Sequence, residues 1–254
     1  MQEHKCPKFI VCIQAATILA LVAATNALAG PPLLTDDPDT PGPGHWEINV
    51  AWTTTKESDK WEMETPLLDA NYGIGERLEL TYEVPWAIAH QSGVTASGLG
   101  NSLVGMKWRF LDQDKHWLDI STYPQFEFNN SGSSVARGLV DPGWTGYLPF
   151  EFEHKFGRLT SYIETGFIWN QRRPNAVLYG IASEYQINDK FSLCAEVHGE
   201  DENRLQEDHV VFNLGFTWKL TEKLNFIGSA GRALQDSSGS GPEFLSYLGL
   251  QFCL

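Results

Sequence analysis

The chain has 254 residues, of which 42% are hydrophobic, 12% aromatic and 20% charged, and its formal net charge is −14. This aromatic content excludes a disordered chain, and the acidic excess argues against a nucleic-acid partner because it would repel phosphate. After the first 30 residues no apolar run approaches the roughly 18 residues of a membrane-spanning helix, which excludes a helical membrane protein.

The first 29 residues have the layout of a secretory signal peptide. Lys5 and Lys8 form a positive start, an apolar stretch runs from Phe9 to about Ala24, and Ala27-Leu28-Ala29 is an A-x-A pattern. We therefore predict a signal peptide over residues 1–29, cut after Ala29. A buried N-terminal helix or a retained anchor is the alternative.

Cleavage there removes Glu3, Lys5 and Lys8, which leaves 16 basic and 31 acidic side chains and a net charge of −15. The mature chain keeps Cys194 and Cys253. Two cysteines so far apart form neither a disulfide framework nor a metal site. The sequence predicts no metal and no cofactor.

Residues 30–44 are rich in proline, glycine and aspartate and predict an extended N-terminal arm without regular structure. The arm could lie in the periplasm or enter the interior of the following domain. Asp36, Asp37 and Asp39 could bind calcium, but their spacing matches no complete loop motif. A solvated acidic turn is the simpler expectation.

Alternation of apolar and polar residues with a period of two dominates the rest of the chain, and it predicts strands. In residues 210–220, for example, Phe212, Leu214 and Phe216 face one way, whereas Asn213 and Gly215 face the other. The predicted strands, twelve in all, are 45–54, 62–72, 77–88, 102–110, 118–128, 144–153, 159–170, 176–187, 190–199, 210–220, 223–232 and 243–254.

The connections alternate between short turns and longer polar loops, the latter including Thr55–Trp61, Ala89–Gly100 and Asn129–Pro142. An even strand number with this alternation is typical of outer-membrane barrels. Tryptophans near segment ends and strands of about 10–12 residues fit a bilayer. The sequence therefore predicts an all-β fold: a transmembrane antiparallel β-barrel of 12 strands over residues 45–254, in the bacterial outer membrane and in contact with its lipid. A soluble periplasmic β-protein is the alternative.

Several sequence stretches resemble one known family. They are Thr35–Asn49, Asn71–Leu78, Glu83–Trp86, Gly98–Phe110 and Ser121–Gln125. Together they resemble the bacterial outer-membrane barrel family named after a meta-pathway phenol degradation protein. The resemblance implies an outer-membrane barrel that transports hydrophobic or aromatic compounds, and it supplies no catalytic residue.

The polar face of the strands carries charges that we expect to face the lumen. Opposite charges on neighbouring strands can pair across a sheet, so an ion-pair network is one interpretation and a charged constriction that selects solutes is the other. An acidic lumen favours cations or neutral solutes over anions. These predicted lumen-facing residues are Glu79, Glu83, Lys107, Arg109, Asp119, Glu127, Glu151, Glu164, Glu184 and Glu196.

The strongest candidate for an acid–base or metal cluster is His198 with Glu196 and Glu200 on one face of a strand. No His-Glu metal motif or serine elbow accompanies it, so a polar lumen histidine is the expectation and no enzyme is predicted. The function predicted from sequence is a porin-like transporter of small, hydrophobic or aromatic solutes. A closed structural barrel and a barrel-type lipid hydrolase are the alternatives, and the sequence leaves the solute and the oligomeric state open.

Overall fold

The structure is a computed structural model that describes residues 30–202, 209–236 and 241–254. The predicted signal peptide lies outside the described residues. The strand segments, in chain order, are β1 (Trp46–Glu57), β2 (Lys60–Ile74), β3 (Leu78–Gln91), β4 (Val94–Leu99), β5 (Ser102–Leu111), β6 (Asp119–Thr122), β7 (Gln125–Phe128), β8 (Trp144–Phe156), β9 (Leu159–Asn170), β10 (Ala176–Asn188), β11 (Phe191–Glu202), β12 (His209–Thr221), β13 (Leu224–Asp236) and β14 (Phe244–Cys253).

These segments form one closed antiparallel barrel of 12 strands. Segments β4 and β5 both pair with β3 and make up one barrel strand, and β6 and β7 both pair with β5 and β8 and make up another. Pairing of β1 with β14 closes the ring. The predicted all-β barrel, its strand number and its extended arm are confirmed.

Proline explains one of the two strand interruptions, because it cannot donate to the ladder. Pro124 separates β6 from β7, and its carbonyl still accepts the Met106 amide. Between β4 and β5, the Gly100 amide donates to the Pro85 carbonyl, which keeps the two halves of this strand beside β3. Pro66 lies at a register shift in β2, where the sequence pattern is blurred.

Two of the predicted loops are wrong. Thr55–Trp61 and Ala89–Gly100 are mostly strand, closed by tight turns at Ser58–Asp59 and Ser92–Gly93. Ser92 and Gly93 both have positive φ, 51° and 80°, as a two-residue hairpin requires. These strands continue beyond the apolar pattern with polar residues, so alternation of hydrophobicity could not mark their ends.

The loop over residues 129–143 is long, as predicted, and contains the helix α1 (Gly132–Ala136). Ser131 caps this helix by accepting the Ser133 amide. Ser134 donates to the Leu99 carbonyl and Arg137 to the Ser97 carbonyl, which fixes the loop on β4. No helix in the described part of the chain is long and apolar enough to cross a membrane.

The apolar face of the barrel points outward. Leu214, Ile163, Phe167 and Ile181 are each more than half exposed, and so is Trp52. All nine tryptophans of the chain are exposed, by 38 to 73%. The closed sheet thus exposes apolar side chains and buries polar ones, which is the inverse of a soluble barrel. This arrangement places the protein in the bacterial outer membrane. β1 begins and β14 ends at one rim, and the turns at residues 75–77, 157–158, 189–190 and 222–223 lie there too, which makes it the periplasmic end; the tight turns at 58–59 and 92–93 lie at the opposite rim.

Leu214→Arg should lower the free energy of unfolding by about 2–4 kcal/mol, because it puts a charge into the hydrocarbon near the middle of β12. Leu220→Arg is the matched control: Leu220 is also exposed but lies near the periplasmic end of β12, where the cost is about 0–1 kcal/mol. Urea unfolding in lipid vesicles measures both variants. Equal losses would contradict the assignment of this face to lipid.

Candidate functional site: a lumen occupied by the N-terminal arm

The N-terminal arm lies inside the barrel. Thr35 and Asp37 have no solvent exposure. The Pro32 carbonyl accepts a hydrogen bond from Ser229 at 2.5 Å, and the Leu34 and Thr35 amides donate to Glu196 at 2.9 and 2.7 Å. The sequence left open whether the arm lies in the periplasm or in the interior of the barrel, and in the structure it lies in the interior.

Three basic side chains of the wall hold the acidic part of the arm. Lys107 Nζ lies 3.0 Å from Asp36 Oδ1 and 2.6 Å from the Asp37 carbonyl oxygen. Asp39 pairs with Arg109 at 2.7 Å and with Lys155 at 3.0 Å. Because Lys107 is only 3% exposed, its pairing with the arm compensates a buried charge.

The expected solvated acidic turn is therefore wrong, since these aspartates are enclosed and engaged by cations and backbone. Asp37 Oδ1 accepts the Asp39 amide at 2.7 Å. Burial raises the pKa of Asp37 well above its usual range, and the Lys107 ammonium opposes that shift. In the described residues no group of histidine, cysteine and acidic side chains could hold a metal ion.

Two wall carboxylates receive backbone amides of the arm. Glu196 accepts the Leu34 and Thr35 amides together with the side-chain amide of Asn213, at 2.6 Å. Glu164 accepts the Asp36 amide at 3.2 Å. A carboxylate that accepts backbone amides makes charge-assisted hydrogen bonds, which are stronger than neutral ones.

Glycines in the wall leave room for the arm. A Cβ at Gly180 would lie 2.3 Å from Thr35 Oγ1, and one at Gly73 would lie 1.8 Å from the Gly42 carbonyl oxygen. Both distances are below any real carbon contact, so a larger residue would push the arm away. The Gly44 amide also donates to the Gly73 carbonyl at 2.9 Å, where the arm leaves the lumen.

The residues that sequence analysis selected differ in burial and in partners. Lys107 and Glu79 are register partners on β5 and β3, but Lys107 makes its short ion pair with Asp36 and lies 3.9 Å from Glu151. Glu151 also accepts a hydrogen bond from Ser121. Buried residues of the set are Glu79, Lys107, Asp119, Glu151, Glu164 and Glu196; Glu83, Arg109, Glu127 and Glu184 are partly exposed.

Asp36, Asp39 and Lys155 belong to this lumen network but were not selected from the sequence as lumen residues. The signal for Lys155 was available, because the period of two on β8 places it on the same inward face as Glu151 and Glu153. The sequence gives no such signal for the arm, because its residues lack the alternation that assigns each side chain of a strand to the lumen or to the lipid.

The candidate acid–base cluster does not form as such. His198 is 9% exposed, but Glu196 is taken up by the arm and by Asn213, and Glu200 is exposed. His198 Nδ1 has no hydrogen-bond partner. This nitrogen is enclosed beside Gly180, since a Cβ at that position would lie 3.1 Å from it.

At mid-height the lumen is filled. Asn49, Glu151 and Gln251 have no solvent exposure, and Asn213 and Glu196 have 1 and 2%. The arm and these inward polar side chains are thus packed together, and solvent does not reach them in the described structure.

Above the filled section, a cavity of about 420 Å³ opens toward the extracellular side. Its floor is the arm from Gly30 to Leu34, and its walls include Tyr147, Leu178, His198 and Val211. Next to it, Ile168, Ala176 and Leu178 form a buried apolar cluster against Tyr147. Apolar side chains thus point into the lumen here, although the lumen is polar elsewhere.

No protein-family model and no curated protein matches the chain. Among solved structures, it is similar to an outer-membrane channel from Pseudomonas putida F1, with a TM-score of 0.67 and 14% identity over 89% of this chain and 100% of that one. A NanC porin has a TM-score of 0.60 and 11% identity, over 82% of this chain and 100% of that one. A KdgM porin in complex with disordered oligogalacturonate has a TM-score of 0.56 and 13% identity, over 81% of this chain and 98% of that one. The TM-scores show a common fold, and at identities of 11 to 14% the likeness is one of fold alone.

Lys107→Ala should lower the free energy of unfolding by up to about 3–5 kcal/mol, because it leaves Asp36 and Glu151 without their buried cation. Lys115→Ala is the control, since Lys115 is 69% exposed and a surface pair contributes about 0–1 kcal/mol. Urea unfolding in vesicles compares the two variants. An unchanged stability of Lys107→Ala would contradict the role of the arm as its counter-charge.

Proposed function

We propose that this outer-membrane barrel is a porin-like transporter of small hydrophobic or aromatic solutes. The observation that supports the proposal is the apolar side of the outer cavity, which Tyr147, Leu178 and Val211 line and behind which Ile168 and Ala176 pack against Leu178. Apolar residues at inward positions give an apolar solute a surface to contact, which a wholly polar lumen lacks. Burial of a solute against them contributes roughly 25 cal/mol per Å² of apolar surface.

The resemblance to the meta-pathway phenol degradation family agrees with this solute class. The KdgM porin binds an oligogalacturonate, which is a polyanion. Such a ligand does not suit a lumen in which Glu79, Glu151, Glu164 and Glu196 are all buried. We therefore propose that the chain belongs to the phenol degradation family. We do not propose polyanionic sugars as its solutes.

Transport requires the arm to move, because the arm and the inward polar side chains fill the lumen at mid-height. The arm is held by ion pairs and hydrogen bonds to Lys107, Arg109, Lys155, Glu164 and Glu196. Polar contacts of this kind can exchange for water, whereas an apolar plug would resist leaving. A passage beside the displaced arm is the route that we propose.

The closed structural barrel is the rival that one observation favours, namely the filled cross-section. A lipid hydrolase has less support, because no hydrogen bond among the described residues joins His198 to a carboxylate or to a nucleophile.

Expression of the chain in a porin-deficient Gram-negative host should raise the initial uptake rate of a labelled aromatic hydrocarbon several-fold over an empty vector. The uptake of a labelled disaccharide should stay unchanged, because the lining is apolar. Intact lipopolysaccharide is needed in this assay, since it slows spontaneous entry of the hydrocarbon. Uptake of neither solute would favour the closed barrel, and faster disaccharide uptake would contradict the solute class.

A disulfide between Thr35→Cys and Gly180→Cys should lock the arm and stop aromatic uptake under oxidation, and a reductant should restore it. A Cβ at residue 180 would lie 2.3 Å from Thr35 Oγ1, so the arm must shift slightly before the two sulfurs can bond, and the single variant Gly180→Cys is a control for that shift. Cys194 and Cys253 are replaced by serine in the background. The single variant Thr35→Cys is the control, and uptake that ignores the redox state of the double variant would show that arm movement is not needed.

A further inference from the structure

We propose that the outer cavity selects small amphipathic cations, in which an aryl or short alkyl group carries an ammonium, over neutral or anionic molecules with the same body. This inference rests on the proposed function and deepens it, since it assigns the solute a charge. It depends on three features of the cavity: apolar walls, carboxylates that make no ion pair with any described residue, and a buried histidine nitrogen without a hydrogen-bond partner in the described part of the chain.

The apolar side of the cavity accepts the body of the ligand. Leu33 of the arm, Leu178 of β10 and Val211 of β12 line it, together with Pro149 and the ring of Tyr147 on β8. These side chains come from both the arm and the wall, so the cavity exists only while the arm is docked. An aryl ring or short alkyl chain would replace water at this surface.

The charged side is acidic. Glu164 lines the cavity and is only 5% exposed, and its contact with the arm is the Asp36 amide at 3.2 Å. Glu200 lies on the same cavity and is exposed. Neither makes an ion pair with any residue that the structure describes, and no described lysine or arginine lines the cavity. A ligand cation would supply the missing counter-charge.

His198 points to a ligand independently of the carboxylates. It lines the cavity, is 9% exposed and has no hydrogen-bond partner for Nδ1. A buried polar atom without a partner is costly, so such atoms mark places that water or a ligand occupies. In the tautomer protonated at Nε2, the Nδ1 lone pair accepts an N–H from an ammonium group.

The predicted signal cleavage would add one cation nearby, the amino group of Gly30. Gly30 itself lines the cavity, and Asp36 is already paired with Lys107. The one added ammonium can offset only one of Glu164 and Glu200, so the cavity keeps a net negative charge.

Three probes with the same body test the selection: 3-phenylpropylamine, 3-phenylpropanol and 3-phenylpropanoate. Their affinities for the purified full-length mature protein are measured by isothermal titration calorimetry in an uncharged maltoside detergent. A charge-assisted hydrogen bond to Glu164 should make the amine bind about tenfold tighter than the alcohol, and the carboxylate should bind weakest. Equal binding of amine and alcohol, or binding of no probe, overturns the proposal.

Glu164→Gln tests the assignment to this residue. The glutamine oxygen can still accept the Asp36 amide, so the arm keeps its contact while the charge is lost. The amine should then lose about tenfold in affinity and the alcohol should not change. Glu64→Gln is the matched control: Glu64 on β2 accepts from Thr53 at 3.1 Å and does not line the cavity. Equal losses in both variants overturn the assignment.

The two proposals fail in different experiments. Binding that does not depend on head-group charge removes the cation selection and leaves aromatic transport in place. Preserved binding of the amine in a protein that supports no uptake removes the transport function and leaves the site. A His198→Leu variant gives a second measure of the site, because it should weaken the amine more than the alcohol.

Discussion

The constraint behind this structure is that every backbone N–H and C=O group within lipid must be paired inside the protein. A sheet meets it only by closing, which here means pairing of β1 with β14 and of β3 with β5. Closure leaves a hollow, and the alternation that turns apolar side chains toward lipid turns the polar ones into that hollow. The chemistry of the lumen is thus a direct result of the solvent outside.

An enclosed polar interior needs its charges balanced. Lys107 and Arg109 on β5 and Lys155 on β8 each pair with an aspartate of the arm, and Lys107 and Lys155 also have wall partners in Glu151 and Glu153. The arm is therefore both the filling of the barrel and the counter-ion of its basic side chains. The apolar cavity above it depends on the same docking, because residues 30–34 form its floor. The ion pairs at mid-height and the outer cavity are consequently linked, because both require the arm to be docked.

Alternation was sufficient to predict the barrel, because one buried and one lipid-facing side impose a period of two on every strand. It could not predict where strands end in water. Around Ser58 and Ser92 both faces of the strands are polar, so the alternation stops although the strands of these hairpins continue. It could not predict the docking of the arm either. Asp39 lies 116 residues from its partner Lys155, and nothing local to either residue records the other. The burial of Lys107 was predictable from its inward position, but its partner was not.

The tight contact of Gly42 with Gly73 at the periplasmic rim has one further consequence. The chain enters β1 directly after this contact, and the Trp46 amide there donates a hydrogen bond to the Leu254 carbonyl. An arm that leaves the lumen therefore stays attached to the barrel within a reach of about 50 Å. Such a tether keeps the local concentration of the arm near the millimolar range. If the arm leaves the lumen as we propose, its return is therefore an intramolecular event that is independent of protein abundance, and each barrel closes again on its own.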